Sequence, residues 1–193
     1  MDPKQAIATV HAAIDLGINF IDTAEGYQTS ESVLGEALKG KRESVVIASK
    51  LSGSDHSESH ITDAIESSLR ALNVDYIDLY QLHSPQPQWP IQETMDTLIR
   101  LKNQGKIRHI GLSNYSPSQT KEAMQFGEIV SSQPRYNMLF TQEKETLKFC
   151  YDNDIGVIPH SVLAKGLLGG KYLSLIHISE PTRRTPISYA VFC

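Results

Sequence analysis

Four residues in this 193-residue sequence have types and spacing suited to acid–base work on a carbonyl group: Asp22, Tyr27, Lys50 and His83. Tyr27 closes the segment Asp22-Thr23-Ala24-Glu25-Gly26-Tyr27, whose glycine lets the backbone turn sharply. A phenol is a poor acid near neutrality, with an ordinary pKa of about 10. A neighbouring ammonium lowers that value by favouring phenolate, so Lys50 is the partner Tyr27 needs. Asp22 is placed to hold the lysine, because a buried lysine without a counter-charge tends to deprotonate and lose its value as a charge. His83 follows the next strand-like run and suits donation of a hydrogen bond to an oxygen that gains negative charge in a transition state. Together they make an acid, its tuner and an oxyanion donor.

The elements that must position these groups alternate between short β-rich runs and stretches with helical spacing. Apolar residues recur at helical intervals in Ile7, Val10 and Ile14, in Ile61, Ile65, Leu69 and Leu72, and in Ile91, Met95, Leu98 and Leu101. Ser116-Pro117 is a helix start, with a hydroxyl at the N-cap and a proline where the missing N–H costs nothing. Strand-like runs lie at 19–21, 45–48, 76–82, 109–112, 129–132 and 156–159. Strands joined by helical crossovers must be parallel, in a barrel or an open doubly wound sheet. Two observations favour the barrel. No G-x-G-x-x-G turn follows a strand, Gly166 to Gly170 being the nearest and a weak match. In addition, nearly every run ends in a polar side chain: Asp22, Lys50, His83, Ser113-Asn114, Gln133 and His160-Ser161. Any one of these has an ordinary reading as a loop polar group, but a parallel barrel brings such strand ends to one rim.

Composition bounds the rest. The 40% hydrophobic content can bury a core, and the length favours one domain. A complete (β/α)8 barrel needs about 250 residues, so the expected fold is an incomplete barrel. The net charge of −4 is dispersed, which argues against a nucleic-acid partner. No apolar run approaches the ~18 residues of a membrane span and no leader pattern is evident, so a cytoplasmic protein is expected. Cys150 and Cys193 are far apart, with no metal-ligand spacing and no disulfide framework. The oligomeric state is not readable.

The runs 20–27, Ala48-Ser49-Lys50, 76–83, Gly111-Leu112-Ser113-Asn114-Tyr115 and Lys165-Gly166-Leu167-Leu168 resemble, in order, motifs of the aldo-keto reductase family. The resemblance covers residues 4–172. It implies a (β/α)8 TIM barrel in which Asp22, Tyr27, Lys50 and His83 form the catalytic tetrad, with Tyr27 as proton donor during hydride transfer from NADPH, or alternatively NADH, to a small carbonyl substrate. By the same resemblance, Ser113, Asn114 and Gln133 hold the nicotinamide carboxamide, and His160, Ser161, Leu163 and Lys165 are further cofactor contacts. His160 stands where many members carry a tyrosine that stacks on the nicotinamide. No metal is implied.

The resemblance also implies that the first strand is missing at one end, and the last strand and helices at the other. The region that binds the adenosine 2′-phosphate would be missing with them, leaving NADP versus NAD undecided. Residues 1–172 are therefore expected to be a partial barrel, with strand edges and core laid open and stability and activity impaired. Residues 173–193 back-translate into codons similar to a sequencing-library adapter, and are expected to be a non-biological tail. Two other functions suit the same residues: a barrel lyase using Lys50 as a Schiff-base nucleophile, and a cofactor-binding regulatory subunit. Trp89 either lines a substrate pocket or caps its loop.

Overall fold

The computed structural model describes residues 2–170 and the backbone of residues 191 and 192. In chain order the elements are α1 (Pro3–Asp15), β1 (Phe20–Asp22), α2 (Ser30–Ala37), β2 (Val46–Leu51), α3 (Glu58–Leu72), β3 (Ile77–Leu82) and α4 (Ile91–Asn103). They continue with β4 (Ile107–Ser113), α5 (Pro117–Ala123), β5 (Ser131–Gln133), α6 (Lys144–Asp152), β6 (Gly156–Val157) and β7 (Val191–Phe192).

Strands β1 to β6 are parallel and each pairs with its neighbour in sequence. That order separates the two candidate architectures. A doubly wound sheet reverses its strand order at a switch point, whereas a barrel adds strands in one direction. Here the addition never reverses, and the six strands form a curled half-barrel. The backbone of β7 runs antiparallel beside β1, with Ile21 opposite Phe192 and Asp22 opposite Val191. The remainder of the expected tail, 173–190, lies outside the described residues, as do Tyr172 and Cys193.

Helix positions follow from the apolar stripes and caps. Ile61, Ile65, Leu69 and Leu72 of α3, and Met95, Leu98 and Leu101 of α4, are buried against Ile47, Ile77, Tyr80, Leu82 and Leu112 of the sheet. Ser57 caps α3 by accepting from the His60 N–H, and Asn73 ends it in the left-handed region. Ser116 and Gln119 form a complete capping box on α5. The apolar spacing singled out neither α2 nor α6. Neither has a side-chain cap at its start, and α2 carries Gly35 where it crosses α3. A Cβ at Gly35 would lie 2.5 Å from the Ala71 carbonyl oxygen, so a bare backbone is what permits the approach. No helix among the described residues is long and apolar enough to cross a membrane.

The N-terminal ends of the strands are held by charge. Asp78, at the start of β3, accepts hydrogen bonds from the Ile47 N–H at 2.9 Å and from Arg42 at 2.7 Å. The guanidinium groups of Arg42 and Arg108 lie 4.2 and 3.6 Å from the Tyr76 ring centroid. This cluster is at the opposite end of the strands from the polar rim, where barrel residues serve stability rather than chemistry. Replacement of Asp78 by alanine leaves the buried Ile47 N–H without its partner and takes the carboxylate from the Arg42 guanidinium, which keeps the Val45 and Tyr76 carbonyls, and is expected to cost about 1–3 kcal/mol. A shift in the urea midpoint without a change in slope would register it.

Candidate active site

The polar residues that end the strands meet at one rim around a buried ion pair. Asp22 is the last residue of β1 and Lys50 is the fifth of β2; their side chains are 2% and 1% exposed. Lys50 Nζ donates to Asp22 Oδ2 at 2.5 Å and to the Thr23 carbonyl at 2.8 Å. The other carboxylate oxygen, Asp22 Oδ1, accepts from Gln81 Nε2 at 3.0 Å and Gln133 Nε2 at 3.2 Å. A buried ion pair is tolerable only when such additional hydrogen bonds satisfy its remaining atoms. Gln81 was not legible as a site residue, although the register provides its reason: it pairs with Lys50 across β2 and β3.

Tyr27 and His83 flank this pair. The Lys50 ammonium lies 5.3 Å from the Tyr27 ring centroid, and the Tyr27 and His83 rings meet edge to face, 5.9 Å apart. The expected lowering of the Tyr27 hydroxyl pKa is not found in the resting site. Burial, and secondarily the charge of Asp22, raise it above the ordinary 10. The first physical reason is desolvation, which disfavours the phenolate; Asp22 adds to it, opposing at Tyr27 the effect of the lysine it holds. His83 is lowered, first by burial and then by the Lys50 charge.

A second network runs along the rim. Ser113 Oγ donates to the Gln133 carbonyl at 3.0 Å. Asn114, in the left-handed region with φ 61°, sends Nδ2 to the His83 carbonyl and to Ser113 Oγ, each at 3.0 Å. Its Oδ1 is 2.8 Å from His160 Nε2, and His160 Nδ1 is 2.9 Å from Ser161 Oγ. Ser113, Asn114, His160 and Ser161 are thus brought together. Gln133 joins them through its backbone while its amide serves Asp22. Leu163 and Lys165 stand apart as exposed residues at the turn Ala164–Gly166. His160 is lowered by burial and by the charges of Lys50 and Arg135.

Trp89 donates to the Ser54 carbonyl at 2.9 Å, tying its loop to the one after β2. It also lines a cavity of about 280 Å³ with Pro85, Ile91, Thr94 and Tyr115, which none of the four rim residues enters. Among the described residues no cluster of His, Cys, Asp or Glu could hold a metal ion.

The fold agrees with what known proteins show. The sequence model of the Aldo/keto reductase family matches residues 1–188, and the chain belongs to that family. It is 40% identical over 184 residues to the aldo-keto reductase YhdN of Bacillus subtilis, a match covering 88% of this chain and 55% of that protein. It is 38% identical over 195 residues to the NADH-specific methylglyoxal reductase of Escherichia coli, covering 88% and 60%. Among solved structures, the holo form of aldo-keto reductase AKR11C1 from Bacillus halodurans superposes with a TM-score of 0.84 at 32% identity, over 95% of this chain and 70% of that one. An aldo/keto reductase from Klebsiella pneumoniae in complex with NADP and acetate gives 0.80 at 30% identity, over 92% and 64%. The chain spans between about half and two thirds of the length of the curated relatives it matches.

Two outcomes follow from the site's electrostatics. Lys50→Met strands the buried Asp22 carboxylate, and a loss of about 3–5 kcal/mol in denaturant unfolding is expected. The imidazoles of His56, His83 and His160 are all held below their ordinary 6.5. As pH falls through 6.5 the unfolded chain takes up protons first, so the stability these neutral rings contribute, complete above 6.5, is lost towards their folded values. Glu25 is raised by burial and works in the opposite sense, favouring the folded state as it protonates. Thermal unfolding from pH 7.5 to 5 should show declining stability, shallower in His83→Gln and steeper in Glu25→Gln.

Proposed function

We propose that this chain carries the reaction centre of a cytoplasmic NAD(P)H-dependent oxidoreductase that reduces aldehydes or ketones to alcohols. The observation that carries the reading is the meeting of Asp22, Tyr27, Lys50 and His83, from the ends of β1, β2 and β3, around one buried ion pair. Family membership supports the reaction class. One relative bears the name of a methylglyoxal reductase, which favours a small carbonyl compound. For the cofactor, that relative is named as NADH-specific while a structural neighbour was solved with NADP, so NADP is proposed with NAD as the alternative.

In this mechanism Tyr27 donates its proton to the carbonyl oxygen. Its raised pKa keeps that proton in place until the oxygen gains charge. The Lys50 ammonium then favours the phenolate that is left, and Asp22, pinned by two glutamines, keeps the lysine charged and fixed. His83 donates a hydrogen bond to the same oxygen. A nicotinamide coenzyme, when bound, supplies the hydride. The site has an acceptor suited to its carboxamide N–H: Asn114 Oδ1 is exposed at the rim and fixed by His160, with a second lone pair free among the described residues, while Nδ2 is held by Ser113 and the His83 carbonyl. Gln133, His160, Ser161, Leu163 and Lys165 complete the proposed cofactor contacts.

The lyase reading is disfavoured because Lys50 is buried and committed to Asp22 and the Thr23 carbonyl, whereas a Schiff-base nucleophile needs a neutral, accessible amine. The regulatory-subunit reading predicts cofactor binding without turnover. Within the chain we assign residues 1–172 to the enzyme and 173–193 to foreign sequence; a reading frame in the source DNA that runs through 173–193 uninterrupted contradicts that division.

The loss of NADPH absorbance with a panel of small aldehydes tests the function, on this chain and on the full reading frame of its source gene. Turnover should fall by about 10²–10⁴ in Tyr27→Phe while cofactor binding persists. Equal turnover in the two proteins would remove Tyr27 from the mechanism.

A further inference from the structure

Ser52 sits directly after β2, between the segment that carries Tyr27 and the ring of His83, and no motif drew attention to it. Its Oγ lies 3.1 Å from His83 Nδ1 and receives the Gly26 N–H at 3.3 Å. Its own N–H donates to Glu25 Oε1 at 2.6 Å. The serine is thus gripped from the Tyr27 loop on one side and meets the imidazole on the other. We propose that Ser52 is a positioning residue that sets the tautomer of His83, leaving Nδ1 as acceptor and placing the proton on Nε2, where it serves the substrate oxygen. This rests on the function proposed above.

A backbone N–H has only a proton to give, so the Gly26 contact uses one lone pair of Ser52 Oγ. The hydroxyl proton then has one acceptor among the described residues, the Nδ1 atom of His83. In the opposite tautomer Nδ1–H would occupy the second lone pair and leave that proton without a protein partner. Because burial and the Lys50 charge keep His83 neutral, the choice of tautomer decides which edge of the ring can donate. Gly26 contributes by what it lacks. A Cβ there would stand 2.9 Å from Ser52 Oγ, so only glycine lets the backbone N–H reach the serine without pushing it from the histidine. The loop that delivers the acid thereby also fixes the oxyanion donor.

Imidazole-¹⁵N NMR of the 193-residue chain at pH 7.5, without coenzyme, tests the tautomer independently of turnover. Wild type should show His83 Nδ1 with the shift of an unprotonated ring nitrogen and Nε2 with that of a protonated one. Ser52→Ala and Gly26→Ala should move both shifts towards intermediate values, and Ser52→Thr, which keeps the hydroxyl, should restore them. In the full reading frame of the source gene, kcat should drop about three- to tenfold in Ser52→Ala, the size of one hydrogen bond, with KM for the coenzyme unchanged and recovery in Ser52→Thr. A wild-type His83 protonated at Nδ1, or shifts identical in wild type and Ser52→Ala, overturns the proposal. If the tautomer behaves as described but Tyr27→Phe turns over normally, the function is wrong and the serine–histidine contact stands.

Discussion

The rest of this structure depends on the burial of one charge pair. Lys50 and Asp22 are withdrawn from water at the centre of the rim, and an ion pair placed there is tolerated only if every remaining donor and acceptor is used. That requirement accounts for Gln81 and Gln133, two buried amides from β3 and β5 that converge on the same carboxylate oxygen. It also accounts for the Thr23 carbonyl turned towards Nζ. Strands β1, β2, β3 and β5 are therefore tied through a single side chain, and the curl of the sheet is what brings ends so distant in sequence within reach of it.

From that pair the chemistry radiates outward. Tyr27 and His83 are held against it by ring contacts, by Ser52, and by the loop that Gly26 allows to close. Asn114 and His160 extend the hydrogen-bonded surface along the rim to β6. The opposite end of the strands is built differently. There Asp78, Arg42, Arg108 and Tyr76 form a stack in which each charge has a structural partner. The contrast separates the reactive face from the supporting one.

Much of this was legible in the sequence because it rests on local pattern. The stripe Ile61, Ile65, Leu69, Leu72 fixed α3, the Ser116-Pro117 start fixed α5, and polar residues at successive strand ends pointed to a common rim. What escaped depended on contacts across the fold. Helix α2 is short, carries Gly35 within it, and is intelligible only once α3 lies across it. Gln81 looks like any polar residue in a strand until register sets it beside Lys50. The direction of the Tyr27 shift was misjudged for the same reason: a lysine nearby implies a lowered phenol, but burial and the carboxylate holding that lysine act in the other direction. Leu163 and Lys165, taken from resemblance, lie exposed, with no side-chain hydrogen bond to the rim network.

In the proposed mechanism Tyr27 responds electrostatically to the Asp22–Lys50 pair as one unit. The most direct measurement is the titration of the Tyr27 hydroxyl, followed by the ¹³Cζ signal of labelled tyrosine, in wild type and in Asp22→Asn. Wild-type Tyr27 should titrate above the ordinary 10, and removing the Asp22 charge should leave Lys50 unopposed and move the titration downward. A Tyr27 that titrates at the same pH in both proteins would show that the pair does not act on the phenol, and would contradict the account.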